Sequence, residues 1–194
     1  MPKTDPAREA LLTALEASGV SIPLWDGILI EETVRIAPGA TILPGCILRG
    51  NTTIAAGSVI GPGSVLTDAV IGKNCIVKNT YITESTLEEN VSIGPFSQVR
   101  PGCHIAAGCK IGDFVEVKNS HIGQKTAIAH LTYVGDTDCG SGVNFGCGVA
   151  IANFNGKEKF RTTIGDGAFL GCNTNLVAPV TIGAGAYTAA GATV

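Results

Sequence analysis

Aliphatic residues recur along most of this chain with a period of six residues. The first members of the series, which follow one another at strict six-residue intervals, are Ile36, Ile42, Leu48, Ile54, Ile60 and Leu66. With occasional five-residue steps the series continues from Ile71 to Val134, and after an irregular stretch it resumes from Ile164 to Thr188. A period of six matches neither the turn of a helix, about 3.6 residues, nor the alternation of a strand.

Each repeat is typical of a short strand followed by a corner. The pattern around the aliphatic residue is aliphatic–small–x–x–small–x, as in the segments IGPGSV and IGAGAY. The aliphatic side chain points inward, while Gly, Asn or Pro turns the corner. Three such sides close a triangular coil of about eighteen residues, and successive coils pair at about 4.8 Å. The sequence therefore predicts an all-β fold, a parallel β-helix with room for about nine coils between Ile36 and Val194.

The chain before the repeats predicts a short amphipathic α-helix over residues 5–18. Asp5 is a helix-capping residue, and Pro6 fits the first turn because an N–H group has no helical partner there. Leucines at positions 11, 12 and 15 share one face of this helix, and Gly19 ends it.

We expect the chain to have two parts. Residues 1–33 contain the helix and a segment, 20–33, that covers the first coil, because an uncovered coil exposes unpaired strand edges. Residues 34–194 form the β-helix. Within it, residues 152–163 (ANFNGKEKFRTT) interrupt the repeat with a polar, basic segment, which predicts an inserted functional loop.

Composition narrows the classes of partner. A net charge of -3 gives no electrostatic basis for binding nucleic acid or an anionic membrane. The N-terminal sequence MPKTDPAREA has no apolar leader, and no apolar run approaches the roughly 18 residues of a membrane span. We therefore expect a cytoplasmic protein.

The chain has seven cysteines. Four of them, Cys46, Cys75, Cys103 and Cys109, lie four residues after the leading aliphatic residue of a repeat, where the pattern needs a small buried side chain. The total is odd and the spacing matches no zinc signature. We expect reduced core thiols rather than disulfides or a metal site.

Polar residues interrupt the repeat mainly between Arg100 and Lys159. The segments concerned are VRPG, DFVEVKNS, AHLTYVGD, GVNFGCG and ANFNGKEKF. Because aliphatic side chains fill each coil, a ligand site must lie between subunits or under a protruding loop. Arg100 and Lys118 are 18 residues apart, about one coil, so we expect them to stack on one face.

These segments resemble the C-terminal acetyltransferase domain of the bacterial bifunctional enzyme that makes UDP-N-acetylglucosamine. The resemblance runs from about residue 34 to residue 194, and its most specific motifs are AHLTYVGD and NFNGKEKF, separated by GVNFGCG. It implies a left-handed β-helix and a homotrimer with sites between subunits. It also implies acetyl transfer from acetyl-CoA to glucosamine 1-phosphate, with no metal.

By this resemblance, three residues carry the chemistry. His130, in the AHLTY block, is the general base that accepts a proton from the substrate amine. Glu116, 14 residues earlier, is the acid that orients the imidazole. Asn153 lies near the thioester, where its amide is expected to stabilise the developing oxyanion.

The resemblance also implies the residues that bind the sugar phosphate. Arg100 and Lys118 hold the phosphate, a role that suits fixed cations. Tyr133 and Asn144 contact the sugar, and Lys159 reaches the substrate from a neighbouring subunit.

Four residues are implied on the acetyl-CoA side, namely Cys147, Phe154, Cys172 and Ala190. Three of them depart from the family pattern: Phe154 replaces a common Tyr, Cys172 a usual Ser and Cys147 a small Ala. Gly171 and Ala190 keep the pattern.

Two alternatives remain open. A β-helix metalloenzyme of the carbonic anhydrase type needs three converging histidines, for which the chain offers His104, His121 and His130. A non-catalytic relative that binds a sugar phosphate or regulates a partner enzyme is favoured by the departures on the acetyl-CoA side. Uridyl transfer is not expected, because no Gly-rich nucleotide loop precedes the repeats.

Overall fold

The computed structural model describes residues 5–194 and begins with one helix. Helix α1 (Pro6–Ala17) follows Asp5, whose side chain accepts hydrogen bonds from two first-turn N–H groups at 3.1 and 3.2 Å. After the helix, Gly19 has a φ of +96°, a left-handed conformation that glycine adopts readily. The predicted helix is confirmed. None of the described residues forms a helix long and apolar enough to cross a membrane.

Helix α1 packs against the start of the solenoid. Leu12 is fully buried and belongs to the same core cluster as Val20. The Arg8 guanidinium donates hydrogen bonds to the backbone carbonyls of Trp25 and Ile28. These contacts hold helix α1 against the first coil.

Twenty-seven strands of two to four residues follow the helix. In chain order they are β1 (Leu29–Ile30), β2 (Arg35–Ile36), β3 (Thr41–Ile42), β4 (Ile47–Arg49), β5 (Thr53–Ile54), β6 (Val59–Ile60), β7 (Val65–Thr67), β8 (Val70–Ile71), β9 (Ile76–Val77), β10 (Thr80–Thr83), β11 (Thr86–Leu87), β12 (Ser92–Ile93), β13 (Ser97–Val99), β14 (His104–Ile105), β15 (Lys110–Asp113), β16 (Glu116–Lys118), β17 (His121–Ile122), β18 (Ala127–His130), β19 (Tyr133–Gly135), β20 (Thr137–Cys139), β21 (Asn144–Phe145), β22 (Ala150–Ala152), β23 (Thr162–Ile164), β24 (Phe169–Leu170), β25 (Asn175–Val177), β26 (Val180–Ile182) and β27 (Tyr187–Thr188).

Every third strand joins the same sheet, so the chain forms three parallel sheets of nine strands each. We call them the first face (β1, β4 and so on to β25), the second face (β2 to β26) and the third face (β3 to β27). The predicted parallel β-helix of about nine coils is confirmed, and its left-handedness stays a prediction. Strand β1 pairs with β4 and lies before the predicted boundary at residue 34, so the segment 20–33 contributes to the first coil.

The aliphatic residue of each repeat points into the solenoid. From Ile42 to Val134, the predicted members of the series are between 0% and 2% exposed. The series then continues through Cys139, Phe145 and Ile151, which are also buried. The interruption of the repeat is therefore confined to the segment after β22.

The four cysteines predicted to be core residues are confirmed as buried. Cys46, Cys75 and Cys109 are 0% exposed and Cys103 is 4% exposed. Burial raises the pKa of the Cys46 thiol to about 11, because a thiolate there would lose its hydration. These thiols serve packing rather than reactivity.

Three large apolar side chains protrude at the corner between the third and first faces. Phe96, Phe114 and Leu131 are 56%, 56% and 59% exposed and lie at equivalent positions of successive coils. All three have a positive φ, between +48° and +58°, which is uncommon for bulky residues. The rings of Phe96 and Phe114 stack with their centroids 5.5 Å apart. We call this set the apolar ridge.

The predicted inserted loop spans residues 153–161, between β22 and β23, and forms a hairpin. Phe154 and Lys159 pair as an antiparallel bridge. At the turn, Asn155 Oδ1 accepts hydrogen bonds from two backbone N–H groups at 2.9 Å, and Gly156 has a φ of +95°. Lys159 therefore lies on a hairpin whose turn is held by hydrogen bonds.

Candidate active site

A buried carboxylate organises the polar side chains at the edge between the first and second faces. Asp136, directly after β19, accepts hydrogen bonds from Nδ2 of Asn119 and of Asn153, each at 2.5 Å. Lys118 Nζ lies 3.8 Å from Asp136 Oδ2, and the Asp136 side chain is only 7% exposed. Because these residues come from three successive coils, the stacking of the coils builds the group.

The surroundings of Asp136 keep it ionised. Burial raises the pKa of Asp136, but hydrogen bonds from the two amides and the charges of Lys118 and Lys159 outweigh burial, so the pKa is lower than usual. Asp136 is not among the site residues expected from the sequence. The signal available was the acidic residue that ends the AHLTYVGD block.

Lys159 joins this group from the hairpin. A side-chain contact with Lys118, together with the charge of Lys118, lowers the pKa of Lys159. Two cations thus face one buried carboxylate, which leaves a net positive charge suited to an anion. The resemblance implies that Lys159 comes from a neighbouring subunit, whereas in this structure it lies beside Lys118 of its own chain.

Tyr133 lies along the first face and reaches the same group. Its hydroxyl is 3.5 Å from Asn153 Nδ2. A Cβ atom on Gly135 would lie 2.4 Å from the Tyr133 hydroxyl and 2.7 Å from Asn153 Nδ2, both too close for any side chain. Gly135, which was not among the expected site residues, therefore leaves the space in which the phenol and the amide meet.

Arg100 and Glu116 form an ion pair on the first face. Arg100 Nη1 lies 2.8 Å from Glu116 Oε1, and this hydrogen bond raises the pKa of Arg100. Strands β13 and β16 pair with Val99 opposite Val117, so Arg100 and Lys118 follow at neighbouring positions, as their spacing predicts.

His130 lies at the end of β18 on the third face, with a different carboxylate beside it. Its Nδ1 is 2.6 Å from Asp113 Oδ1, and the two side chains are 57% and 38% exposed. The hydrogen bond to His130 lowers the pKa of Asp113. The structure does not bring Glu116, the acid that the resemblance implies, to His130.

The pair formed by His130 and Asp113 is separate on the surface from the cationic group, which consists of Lys118 and Lys159 around Asp136. Leu131 of the apolar ridge lies between His130 on the third face and Tyr133 on the first face. In residues 5–194, no hydrogen bond or ion pair connects His130 or Asp113 with the Lys118 group.

Three of the residues expected on the acetyl-CoA side, Cys147, Cys172 and Ala190, each come shortly after a strand of the third face, whereas Phe154 lies in the hairpin. Asn144, which is expected to contact the sugar, starts β21 and lies opposite Ala127 of β18, on the same face as His130. Cys147 and Cys172 lie on adjacent coils, where the N–H of Asn173 donates to the carbonyl of Cys147 at 2.8 Å. Cys147 is partly exposed, and Phe154, Cys172 and Ala190 are exposed.

The three histidines do not converge on one point. His104 and His121 stack on the second face with ring centroids 4.7 Å apart and Nδ1 atoms 3.2 Å apart. Glu88 lies 3.1 Å from His104 Nε2. His130 belongs to the third face, and the described part of the chain has no cluster of three or more metal-ligating side chains.

Comparison with protein families agrees with the repeat. Residues 84–119 and 161–194 match the family described as bacterial transferase hexapeptide (six repeats). The six-residue period and the three-faced solenoid extend the same pattern over the rest of the coils. These two segments therefore carry the hexapeptide repeat of that family.

Curated relatives match part of this chain in sequence. Bifunctional protein GlmU of Brevibacillus brevis is 56% identical over 108 residues, which cover 56% of this chain and 23% of that protein. Bifunctional protein GlmU of Clostridium kluyveri is 54% identical over 109 residues, 56% of this chain and 24% of that protein. The chain thus spans about a quarter of the length of the curated relatives it matches.

Solved structures are more distant. UDP-N-acetylglucosamine acyltransferase of Francisella novicida aligns over 86% of this chain and 60% of its own chain, at 21% identity and a TM-score of 0.48. The Arabidopsis UDP-N-acetylglucosamine acyltransferase aligns over 84% of this chain and 65% of its own chain, at 16% identity and a TM-score of 0.46.

Proposed function

We propose that this protein transfers the acetyl group of acetyl-CoA to the amine of glucosamine 1-phosphate or a closely similar amino-sugar phosphate. The observation that carries the proposal is the contact between Lys118 and Lys159 above buried Asp136. Two adjacent cations with one compensating carboxylate suit a phosphate dianion. The sequence similarity to bifunctional protein GlmU supports the same activity.

His130 supplies the base in this proposal. The substrate amine must lose a proton as its nitrogen attacks the thioester carbon, and Nε2 of His130 accepts it, because Nδ1 is engaged by Asp113. The C–S bond then breaks, and coenzyme A leaves as a thiol after taking up the proton. Help of this kind contributes about 10²–10⁴ in rate.

Asn153 has limited capacity to stabilise an oxyanion. One N–H of its amide is committed to Asp136, and the same nitrogen lies 3.5 Å from the Tyr133 hydroxyl. The second N–H points at this hydroxyl, so it serves the thioester oxygen only by giving up that long contact, while the amide oxygen is available to accept a hydrogen bond from the substrate. Asp136 holds the amide in this orientation.

A homotrimer is part of the proposal. Within one chain the apolar ridge separates His130 from the cationic group, so a site that contains both needs a neighbouring chain. An exposed strip of this kind is typical of contact with another chain. We expect Phe114→Asp to dissociate the assembly and abolish turnover, as measured by light scattering and an activity assay. Val70→Asp is the matched control, since Val70 is 45% exposed on the second face, away from the ridge. An assembled, active Phe114→Asp variant would contradict the trimer.

The proposed substrates are cytoplasmic metabolites, so a cytoplasmic location is part of the same proposal. The test is release of free thiol from acetyl-CoA with a panel of amino sugars. We expect turnover with glucosamine 1-phosphate, weak turnover with unphosphorylated glucosamine, and none with N-acetylglucosamine 1-phosphate, which has no free amine. Absence of thiol release with every amino-sugar phosphate would overturn the proposal.

A second candidate is a non-catalytic protein that binds sugar phosphates. It is favoured by Cys147, Phe154 and Cys172, which replace the residues usual on the acetyl-CoA side. Calorimetry separates the two functions: binding of glucosamine 1-phosphate without binding of acetyl-CoA supports this second candidate.

A further inference from the structure

We propose that Asp113 is the positioning residue of His130, and that its carboxylate holds the imidazole with Nδ1–H donating and Nε2 free to act as the base. Nδ1 of His130 lies 2.6 Å from Asp113 Oδ1. This inference rests on the proposed function, in which His130 is the base. It assigns the orienting role to a residue that the resemblance does not name.

The fold brings Asp113 and His130 together through strand pairing. Strands β15 and β18 are each four residues long, and Asp113 and His130 are register partners at their ends. Successive coils are close at this point, since a Cβ atom on Gly112 would lie 1.8 Å from the carbonyl oxygen of Ala129. Only a glycine at position 112 allows the two strands to run together as far as this pair.

Asp113 also positions the backbone that carries His130. Its carbonyl oxygen accepts a hydrogen bond from the N–H of Leu131 at 3.0 Å. The carbonyl of His130 accepts a hydrogen bond from Thr132 Oγ1 at 2.7 Å. One residue thus holds the imidazole through its side chain and the following peptide through its main chain.

Glu116 is committed elsewhere. Its carboxylate forms the 2.8 Å ion pair with Arg100, and it lies on the first face opposite Tyr133. In this structure, removing the Glu116 charge would free Arg100 and so alter phosphate binding. Removing the Asp113 charge would instead release the imidazole.

The chemistry requires such a carboxylate. When Nε2 accepts the amine proton, the imidazole becomes a cation, and an adjacent carboxylate both selects the reactive tautomer and stabilises that cation. The lowered pKa of Asp113 keeps it ionised near neutral pH. In a buried catalytic triad, conversion of this carboxylate to an amide costs about 10⁴ in rate, and this pair is partly exposed, so we expect roughly 10- to 100-fold.

The test compares Asp113→Asn with Glu116→Gln in the full chain, using thiol release with glucosamine 1-phosphate. We expect Asp113→Asn to lower kcat about 10- to 100-fold with KM for the sugar phosphate within about twofold. Asp113→Glu should restore part of kcat, because it keeps the charge. Glu116→Gln should mainly change KM. A kcat within twofold of the unsubstituted protein in Asp113→Asn, or the main loss of kcat in Glu116→Gln, would overturn the assignment.

A second measurement does not depend on turnover. Nitrogen-15 NMR of the imidazole side chains should show His130 with its proton on Nδ1, and this tautomer should be lost in Asp113→Asn but kept in Glu116→Gln. An unchanged His130 tautomer in Asp113→Asn would overturn the positioning role even if the protein is inactive. Lack of thiol release with the Nδ1–H tautomer present would contradict the proposed function and leave the contact itself supported.

Discussion

Lys118 and Lys159 lie side by side at the edge of the first face, although they are 41 residues apart in sequence and both are positively charged. The hairpin carries Lys159 back over the coil that holds Lys118. Buried Asp136, 3.8 Å from the Lys118 ammonium, offsets only part of their repulsion. Such a pair is most stable when an anion lies against it.

This contact predicts how binding of the sugar phosphate depends on pH. The charge of Lys118 lowers the pKa of Lys159, and phosphate binds the protonated form of Lys159, so binding is strongest below that pKa and weakens as pH rises through it. In Lys118→Met, the pKa of Lys159 rises towards its usual value, so binding is weaker overall but its alkaline decline moves to higher pH.

Calorimetry of glucosamine 1-phosphate binding above about pH 7.5, where the phosphate is a dianion, measures the decline. Lys157→Met, in the same exposed hairpin, is the matched control and should leave the decline in place. An alkaline decline that stays at the same pH in Lys118→Met would count against the coupling.

The separation of His130 from the cationic group predicts opposite kinetic effects. We expect His130→Ala to lower kcat about 10²- to 10⁴-fold with KM for the sugar phosphate close to normal, since the phosphate contacts remain. Lys118→Ala should raise KM instead. His121→Ala, an exposed histidine on the second face, is the control. Near-normal turnover in an assembled His130→Ala protein would show that the base is another residue.

The close contacts at Gly135 predict a selective loss of binding. A Cβ atom there would lie 2.4 Å from the Tyr133 hydroxyl, so Gly135→Ala should displace the phenol and the Asn153 amide from the sugar site. We expect KM for glucosamine 1-phosphate to rise about tenfold or more, which corresponds to roughly 1.4 kcal/mol.

Gly183→Ala is the control for this substitution, because a Cβ atom at that position meets no atom within 4 Å. Thermal unfolding should show both variants folded. A Gly135→Ala protein with unchanged KM would mean that Tyr133 and Asn153 do not contact the sugar.

Burial predicts which thiols react. Burial raises the pKa of Cys139 to about 12 and that of Cys46 to about 11, so both should resist iodoacetamide at neutral pH. Cys172 is exposed and should be alkylated first. Its alkylation should abolish acetyl-CoA binding, and bound acetyl-CoA should protect Cys172 from the reagent. Peptide mass spectrometry measures the sites, and Cys172→Ser should abolish the inactivation. Rapid labelling of Cys139 in the folded protein would be inconsistent with this core.

Sequence periodicity determined the fold of this protein. A six-residue step adds one side to a coil, so one aliphatic side chain per step faces the interior wherever the step occurs, and residues from Ile42 to Val134 follow that rule. The start of the solenoid was less visible, because β1 lies in a segment without the repeat and owes its place to pairing with β4.

Tertiary structure decided which polar side chains meet. Asp113 and His130 are register partners because they are 17 residues apart, the length of the coil between them. The strand register therefore places Asp113 beside His130, although Glu116 is nearer to His130 in sequence. Asp136 contacts Asn119 and Asn153 only because the stacking of three coils brings these residues together. Lys159 meets Lys118 through a hairpin that departs from the repeat, and a periodic pattern carries no information about where such a hairpin folds back.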